Sequence, residues 1–215
     1  AQTDTSAGHK GINAFIVDRH SAGISVGPHE NKMGMRSSDT HSVMFTDVKV
    51  PKENRIGENG FGFKFAMQTL DGGRIGIAAQ ALGIASGAYE LAVKYAKQRK
   101  AFGTEIINHQ AVAFKLADMA VKIETARLLV LKAAWLKDQH KPYGIASAMA
   151  KQYCADIAME VTTEAVQIHG GYGYVKEYHV ERLMREAKLT QIYEGTSEIQ
   201  KVVISRAISR NEINF

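Results

Sequence analysis

The chain contains 215 residues, 45% of them hydrophobic, which is enough for one substantial core with a small appendage. Its net charge of +5 comes from basic residues dispersed among 22 acidic ones, without the basic block or aromatic ladder typical of nucleic-acid binding. The single cysteine, Cys154, excludes an internal disulfide and indicates a reducing, intracellular compartment, and no run predicts a membrane span.

The first 57 residues are predicted to be β-rich. Residues 13–17, 24–26 and 42–50 are short apolar runs of strand character, and Pro51 closes the last of them. Three strands with exposed edges make a poor independent sheet. We therefore expect residues 1–57 to be the later part of a small antiparallel β-domain whose earlier part precedes Ala1.

Residues 58–215 show a helical period instead. Apolar residues recur at steps of three and four along three long stretches, near residues 77–95, 112–130 and 150–168. Gly76, Gly83 and Gly87, together with many alanines, predict close approach between helices. A shorter helix around residues 179–188 and a last one from Ser197 to about Ser209 complete the set. The fold class predicted is mainly α, a C-terminal four-helix bundle with an added terminal helix.

The most informative segment lies near the C-terminus, where Glu194 sits in an apolar, glycine-flanked turn just before the last helix. Burial beside Ile192 and Tyr193 disfavours a charged carboxylate, whereas the free amides and positive dipole end of the helix favour it. Gly195 allows the backbone to approach a ligand closely. From these residues alone, a solvated helix-cap glutamate and a general base are both open, and the cap is the commoner of the two.

Residues 192–200, IYEGTSEIQ, closely resemble the segment in which acyl-CoA dehydrogenases carry their proton-abstracting glutamate. Three more segments resemble motifs of that family, in the family's order. Residues 70–76 are similar to the start of its first long C-terminal helix, while residues 99–103 with Gln110, and residues 165–173, are similar to its flavin-contacting segments. The resemblance covers essentially the whole chain and is strongest to the short-chain, butyryl-CoA branch.

The resemblance implies α,β-dehydrogenation of a fatty acyl-CoA thioester, in which Glu194 removes the α-proton and FAD accepts the β-hydrogen as hydride. Gly72 and Gly73 carry no carboxylate, which supports Glu194 over the position that some branches use on the helix beginning near Asp71. The cofactor contacts it implies are Arg99, Phe102, Gln110, Gln167, Gly171, Thr196 and Glu198. The substrate contacts it implies are Asp71, Arg74, Tyr193 and Gly195.

Several of these residues also have ordinary structural explanations. Arg99 could complement the dipole at the end of its helix, residues 170–173 could form a glycine C-cap, and Asp71 could be an N-cap. His169 is more simply structural than a ligand or an acid. Glu105 and His109 are one residue too far apart for the Glu-x-x-His motif of di-iron bundles, so we expect no metal.

The resemblance further implies an electron-transfer flavoprotein as partner and a homotetramer arranged as a dimer of dimers, in a bacterial cytoplasm or a mitochondrial matrix. Two alternatives stay open, an oxidase of the same fold that would release peroxide, and a non-enzymatic helical module that assembles with a partner. In the family, the segments that cradle the isoalloxazine ring precede the position of Ala1. We therefore expect the isolated chain to bind FAD poorly and to turn over no substrate.

Overall fold

The computed structural model describes residues 1–213 and divides the chain into two compact units, Ala1–Leu70 and Asp71–Phe215. The first long helix, α1 (Gly62–Gln98), crosses the boundary between them. The domain boundary predicted from the sequence, after residue 57, therefore stays a prediction.

The first unit carries short antiparallel strands. They are β1 (Ala14–Phe15), β2 (Ile24–His29), β3 (His41–Phe45) and β4 (Arg55–Ile56). β1 pairs with β4, and β2 pairs with β3. The strand predicted over residues 42–50 ends early, because Asp47 has a φ of +50°, which extended strands do not adopt. The strand predicted over residues 13–17 is likewise reduced to a two-residue pairing.

The second unit is built from helices. After α1, a tight hairpin of β5 (Lys100–Ala101) and β6 (Thr104–Glu105) leads into four more helices. They are α2 (Gln110–Asp138), α3 (Gly144–His169), α4 (Val180–Thr190) and α5 (Ser197–Ser209). The mainly α fold class, with a terminal helix added to the bundle and short antiparallel strands before it, is confirmed.

The helix α3 has the largest buried face, and it packs against α2, α4 and α5. The apolar spacings predicted for α2 and α3 fall on that core, where Met119, Ile123, Cys154, Ile157 and Val161 are buried. Burial raises the pKa of the Cys154 thiol to about 12, so this cysteine behaves as a small apolar core residue.

The buried face of α1 is made of alanine. Its fully buried members are Ala78, Ala81, Ala85, Ala88, Ala92 and Ala96. The prediction that Gly76, Gly83 and Gly87 mediate close helix approach is wrong. Apart from the helix's own backbone, no heavy atom lies within 4 Å of where a Cβ would stand at any of these three glycines, because they lie off the alanine stripe.

One helix, α1, is long and apolar enough to cross a membrane by length and composition, with a mean hydropathy of 1.2 over its most apolar 18 residues. A core helix of a soluble protein passes the same test. The sequence-based expectation of no membrane-spanning run did not anticipate this, because alanine raises the mean without forming a continuous block of large apolar side chains.

Candidate active site

The backbone around Glu194 is held in an uncommon conformation. We call residues 191–196, which join α4 to α5, the Glu194 turn. Within it Glu194 has a φ of +55° and Gly195 a φ of +88°, so two successive residues lie in the left-handed region. A non-glycine residue there persists only where its surroundings fix it. Thr196 then starts α5, since its hydroxyl accepts a hydrogen bond of 3.3 Å from the Ile199 amide.

The carboxylate of Glu194 lies directly on the backbone of α1. A Cβ built at Gly73 would stand 1.8 Å from Glu194 Oε1 and 2.7 Å from its Cδ. The side chain of Glu194 is half-buried. It is therefore directed onto the helix surface that a glycine leaves bare, and any side chain at position 73 would occupy its place.

Three of the predicted substrate-contacting residues lie on α1 or contact it. Arg74 is buried, and its Nη1 donates to Asp71 Oδ1 at 2.5 Å. Tyr193 donates its hydroxyl hydrogen to Gln80 Oε1. Burial raises the pKa of Tyr193 and the charge of Glu194 acts in the same direction, while the bond to Gln80 opposes them. The structure thus places Asp71 and Arg74 next to Gly73, the residue of α1 on which the Glu194 carboxylate lies, while Tyr193 of the Glu194 turn contacts the same helix at Gln80.

Two fully buried polar side chains that sequence reasoning missed support the turn from inside. Lys151 of α3 donates from Nζ to the Gly195 carbonyl at 2.7 Å. Gln200 of α5 donates from Nε2 to the same carbonyl at 3.0 Å and to the Glu194 carbonyl at 3.3 Å. The signal for Lys151 was present, because it lies three residues before Cys154 on a mostly apolar helix face, where lysine is almost never found without a partner.

A third polar side chain of α3, Asp156, holds both ends of the turn. Its Oδ1 accepts from Gln191 Nε2 at 2.8 Å, before the left-handed residues, and from Ser197 Oγ at 3.1 Å, after them. The backbone closes the same loop, because the Ser197 amide donates to the Gln191 carbonyl at 3.0 Å. The turn is therefore fastened to α3 at its start, its middle and its end.

Two of the predicted cofactor residues share a separate cavity of about 430 Å³. Arg99 and Gly171 both line it, together with Tyr95, His169 and Tyr172. The guanidinium carbon of Arg99 lies 5.7 Å from the centre of the Tyr172 ring, within cation–π range. The cavity therefore offers one cation, aromatic faces and glycine backbone to a ligand.

His169, which closes one side of this cavity, is a structural histidine in its contacts. Its ring stacks on that of Tyr95 at 4.3 Å, and its Nδ1 lies 2.7 Å from the Ala165 carbonyl. Burial lowers the pKa of His169, while the bond to Ala165 opposes this. The arrangement favours the neutral ring.

The other predicted cofactor residues stand at the ends of elements. Phe102 is 97% exposed at the tip of the β5–β6 hairpin, Gln110 is the exposed first residue of α2, and Gln167 is exposed near the end of α3. Glu198 is exposed in the first turn of α5, where its own backbone amide and then the Thr196 side chain lower its pKa. The described contacts do not join these residues into one surface. Across residues 1–213 no group of three or more His, Cys, Asp and Glu side chains could hold a metal ion.

Comparison with known proteins gives the class. Residues 60–209 match the family model for the acyl-CoA dehydrogenase C-terminal domain. The chain therefore belongs to the acyl-CoA dehydrogenase family, whose members are flavin-dependent enzymes.

Within that family, similar relatives include the short-chain specific acyl-CoA dehydrogenase of Clostridium acetobutylicum. It is 56% identical over 210 residues, which cover 98% of this chain and 55% of the relative. The CarC subunit of the caffeyl-CoA reductase-Etf complex of Acetobacterium woodii is 54% identical over 205 residues, 95% of this chain and 54% of the relative. The chain thus spans about half the length of the curated relatives it matches.

Solved structures of similar chains agree with this family assignment. The butyryl-CoA dehydrogenase of Megasphaera elsdenii superimposes with a TM-score of 0.96 at 56% identity, covering 98% of this chain and 55% of that chain. A structure of the electron transferring flavoprotein of Acidaminococcus fermentans matches with a TM-score of 0.96 at 57% identity, over the same shares of the two chains. A complex of PigA with FAD and proline is more distant, with a TM-score of 0.94 at 27% identity, covering 98% of this chain and 55% of that chain.

Proposed function

We propose that this chain supplies the catalytic base and part of the flavin site of an FAD-dependent short-chain acyl-CoA dehydrogenase. The observation that carries the proposal is the position of Glu194, whose carboxylate lies on the bare backbone of Gly73 instead of extending into solvent. A carboxylate held against a helix backbone in this way can face the carbon next to a thioester. The names of the similar short-chain dehydrogenases support butyryl-sized substrates.

Glu194 removes the α-proton of the bound thioester in this proposal. Such a proton is too weakly acidic for a carboxylate in water, so the negative charge that develops on the thioester oxygen must be stabilised by fixed donors. We assign one of them to the backbone N–H of Glu194, which the left-handed conformation holds in a fixed direction. FAD, when bound, supplies the acceptor for the β-hydrogen.

The residues around the 430 Å³ cavity fit FAD. A guanidinium is suited to a pyrophosphate because it can donate two parallel hydrogen bonds, and Arg99 lines the cavity with an exposed side chain. Gly171 beside it leaves the backbone accessible, and the Tyr172 ring offers a face for stacking. We infer that Arg99, Gly171 and Gln167 contact one part of the cofactor, and Phe102, Gln110, Thr196 and Glu198 other parts.

Asp71 and Arg74 are proposed as contacts for the CoA portion of the substrate, with Tyr193 and Gly195 at the acyl end. Arg74 supports this, because its Nε is buried and has no hydrogen-bond partner among residues 1–213. A buried donor without a partner costs about 1–3 kcal/mol, and a ligand acceptor would satisfy it. The ion pair with Asp71 holds the guanidinium in place for that contact.

The α2 helix supports a homotetramer, arranged as a dimer of dimers. Large apolar side chains stand exposed at intervals of seven residues along it, namely Phe114, Val121, Leu128 and Trp135. A repeat of seven residues places them in one stripe, which is typical of a helix that packs against another helix. An electron-transfer flavoprotein is proposed as the electron acceptor, since one relative is named as a subunit of an Etf complex.

The decisive experiment uses a fusion protein in which the part of the Megasphaera elsdenii relative that precedes the matched region is joined before Ala1. Loaded with FAD and mixed anaerobically with butyryl-CoA, it should show rapid bleaching of the flavin absorption. Glu194→Gln should keep the fold and the bound FAD but slow bleaching by about 10²- to 10⁴-fold. Glu90→Gln, an exposed glutamate of α1, is the matched control.

Three outcomes would contradict the proposal. A Glu194→Gln protein that bleaches at the normal rate refutes Glu194 as the base, and a fusion that holds no FAD refutes the cofactor assignment. Peroxide released in air in step with substrate consumption indicates the oxidase instead. The isolated 215-residue chain should hold little FAD and show no turnover, so a yellow, active preparation of it would contradict that expectation.

A further inference from the structure

We propose that Lys151 is a positioning residue for the base, which it holds in place through its hydrogen bond to the Gly195 carbonyl. The inference rests on the function proposed for Glu194. Lys151 lies on α3, far from Glu194 in the sequence, and its Nζ reaches the carbonyl of the residue next to Glu194 at 2.7 Å. It does not touch the carboxylate, so its effect on the reaction passes through the backbone of the turn.

The burial of Lys151 is unfavourable in itself. Burial lowers the pKa of Lys151 and the Arg74 cation acts in the same direction, whereas Asp156, Glu198 and Glu194 oppose the shift. A lysine with no exposed surface costs free energy that an apolar side chain of the same length would not. Its place on a mostly apolar helix face therefore indicates a role other than filling the core.

The hydrogen bond from Lys151 reaches the centre of the Glu194 turn, at the Gly195 carbonyl. Gly195 follows Glu194 in the left-handed region, and its carbonyl lies where the chain leaves these two residues, so a hydrogen bond that fixes this carbonyl restricts movement of the backbone that carries Glu194. Gln200 donates to the same carbonyl at 3.0 Å, so the carbonyl is held from two helices at once. Asp156 fixes only the flanking residues Gln191 and Ser197. Lys151 is thus the α3 contact that acts on the centre of the turn.

Lys151→Met tests the proposal, because methionine has nearly the same length but no donor. In the FAD-loaded fusion protein we expect flavin reduction at saturating butyryl-CoA to slow about 10- to 100-fold, since a misplacement of about 1 Å can cost two orders of magnitude. The substrate concentration for half-maximal reduction should change less than about threefold, because the groups proposed to bind CoA are untouched. Lys151→Arg, which restores a donor, should recover part of the rate.

Lys115→Met is the matched control. Lys115 also bonds to α3, through Glu164, but on a surface away from the turn. The Lys115→Met fusion protein should show flavin reduction at the normal rate. If Lys151→Met does not fold, Lys151→Gln provides a second variant, because its amide donor ends one bond short of Nζ and so weakens the hydrogen bond to the Gly195 carbonyl.

A second measurement on the 215-residue chain separates this proposal from the proposed function. Amide hydrogen exchange at Ser197, whose amide closes the turn by donating to the Gln191 carbonyl, should become about three- to tenfold faster in Lys151→Met, as expected for the loss of one net hydrogen bond, while the cores of α2 and α3 keep their protection. If the wild-type fusion reduces no flavin, the proposed function fails, and the exchange data still decide whether Lys151 holds the turn. Normal exchange at the Ser197 amide, or normal flavin reduction, in a folded Lys151→Met protein would overturn the proposal.

Discussion

The contact between Gly73 and Glu194 gives the sharpest prediction, the effect of Gly73→Ala. A methyl group at position 73 would stand 1.8 Å from Glu194 Oε1. Normal contact between a carbon and an oxygen requires the carboxylate to retreat by about 1.5 Å. Since the atoms in the way are the end of a flexible side chain, Glu194 can move without disturbing the backbone of α1.

The free energy of unfolding should therefore change little. Replacing glycine by alanine inside a helix stabilises it by about 1 kcal/mol, and forcing Glu194 off its preferred rotamer costs about 0.5–1.5 kcal/mol. The two effects nearly cancel, so the melting temperature should shift by less than about 4 °C. Flavin reduction should nevertheless slow by about 100-fold, because the base is displaced from the substrate carbon.

Thermal unfolding followed by circular dichroism and anaerobic stopped-flow bleaching with butyryl-CoA measure the two effects separately. Gly83→Ala is the control, since it lies in the same helix and nothing outside that helix's own backbone lies within 4 Å of its added methyl. It should raise the melting temperature by about 2–4 °C with the rate unchanged. A Gly73→Ala protein that reduces flavin as fast as Gly83→Ala would show that Glu194 does not act from its position on α1.

Two further predictions concern other parts of the chain. Burial lowers the pKa of His169 below its usual 6.5, so the stability that its neutral form contributes is full above pH 6.5 and is lost as pH falls through the folded-state pKa. His169→Gln should therefore flatten the decline in unfolding free energy between pH 7 and pH 5, measured by urea titration, whereas a change in the exposed His20 should not. Leu128→Arg should dissociate the oligomer in sedimentation equilibrium, and Thr163→Arg, an equal charge change on exposed α3, should leave the mass unaltered; an unchanged mass for both would refute the role of the α2 stripe.

The sequence predicted the helical unit well because helix cores follow local spacing. Met119 and Ile123 of α2, and Cys154 and Ile157 of α3, are buried where their periodicity places them. The family was recognisable from the sequence because the residues around Glu194 that resemble its motif are consecutive in the chain. The catalytic and binding roles of individual residues stay predictions, although the structure gives Glu194 a position that suits a base.

What the sequence did not predict depends on contacts between distant segments. No local pattern pairs Gly73 with Glu194, and none shows that Lys151 reaches the Gly195 carbonyl. The early end of β3 depends on one backbone angle, that of Asp47, which composition does not reveal. The prediction for Gly76, Gly83 and Gly87 was wrong because it used composition alone. Small residues suit close helix packing, but these three lie on a side of α1 that faces no other element within residues 1–213.

Every group that fastens Glu194 comes from the same compact unit. Gly73, Lys151, Asp156 and Gln200 all lie beyond Asp71, so the aim of the base is set as soon as the bundle folds. Under the proposed function, residues outside that unit can then vary, and with them the length of acyl chain accommodated, while the direction of the proposed base is preserved. In the proposed enzyme, chain-length preference and proton abstraction would thus be separable properties, open to independent change by evolution or by design.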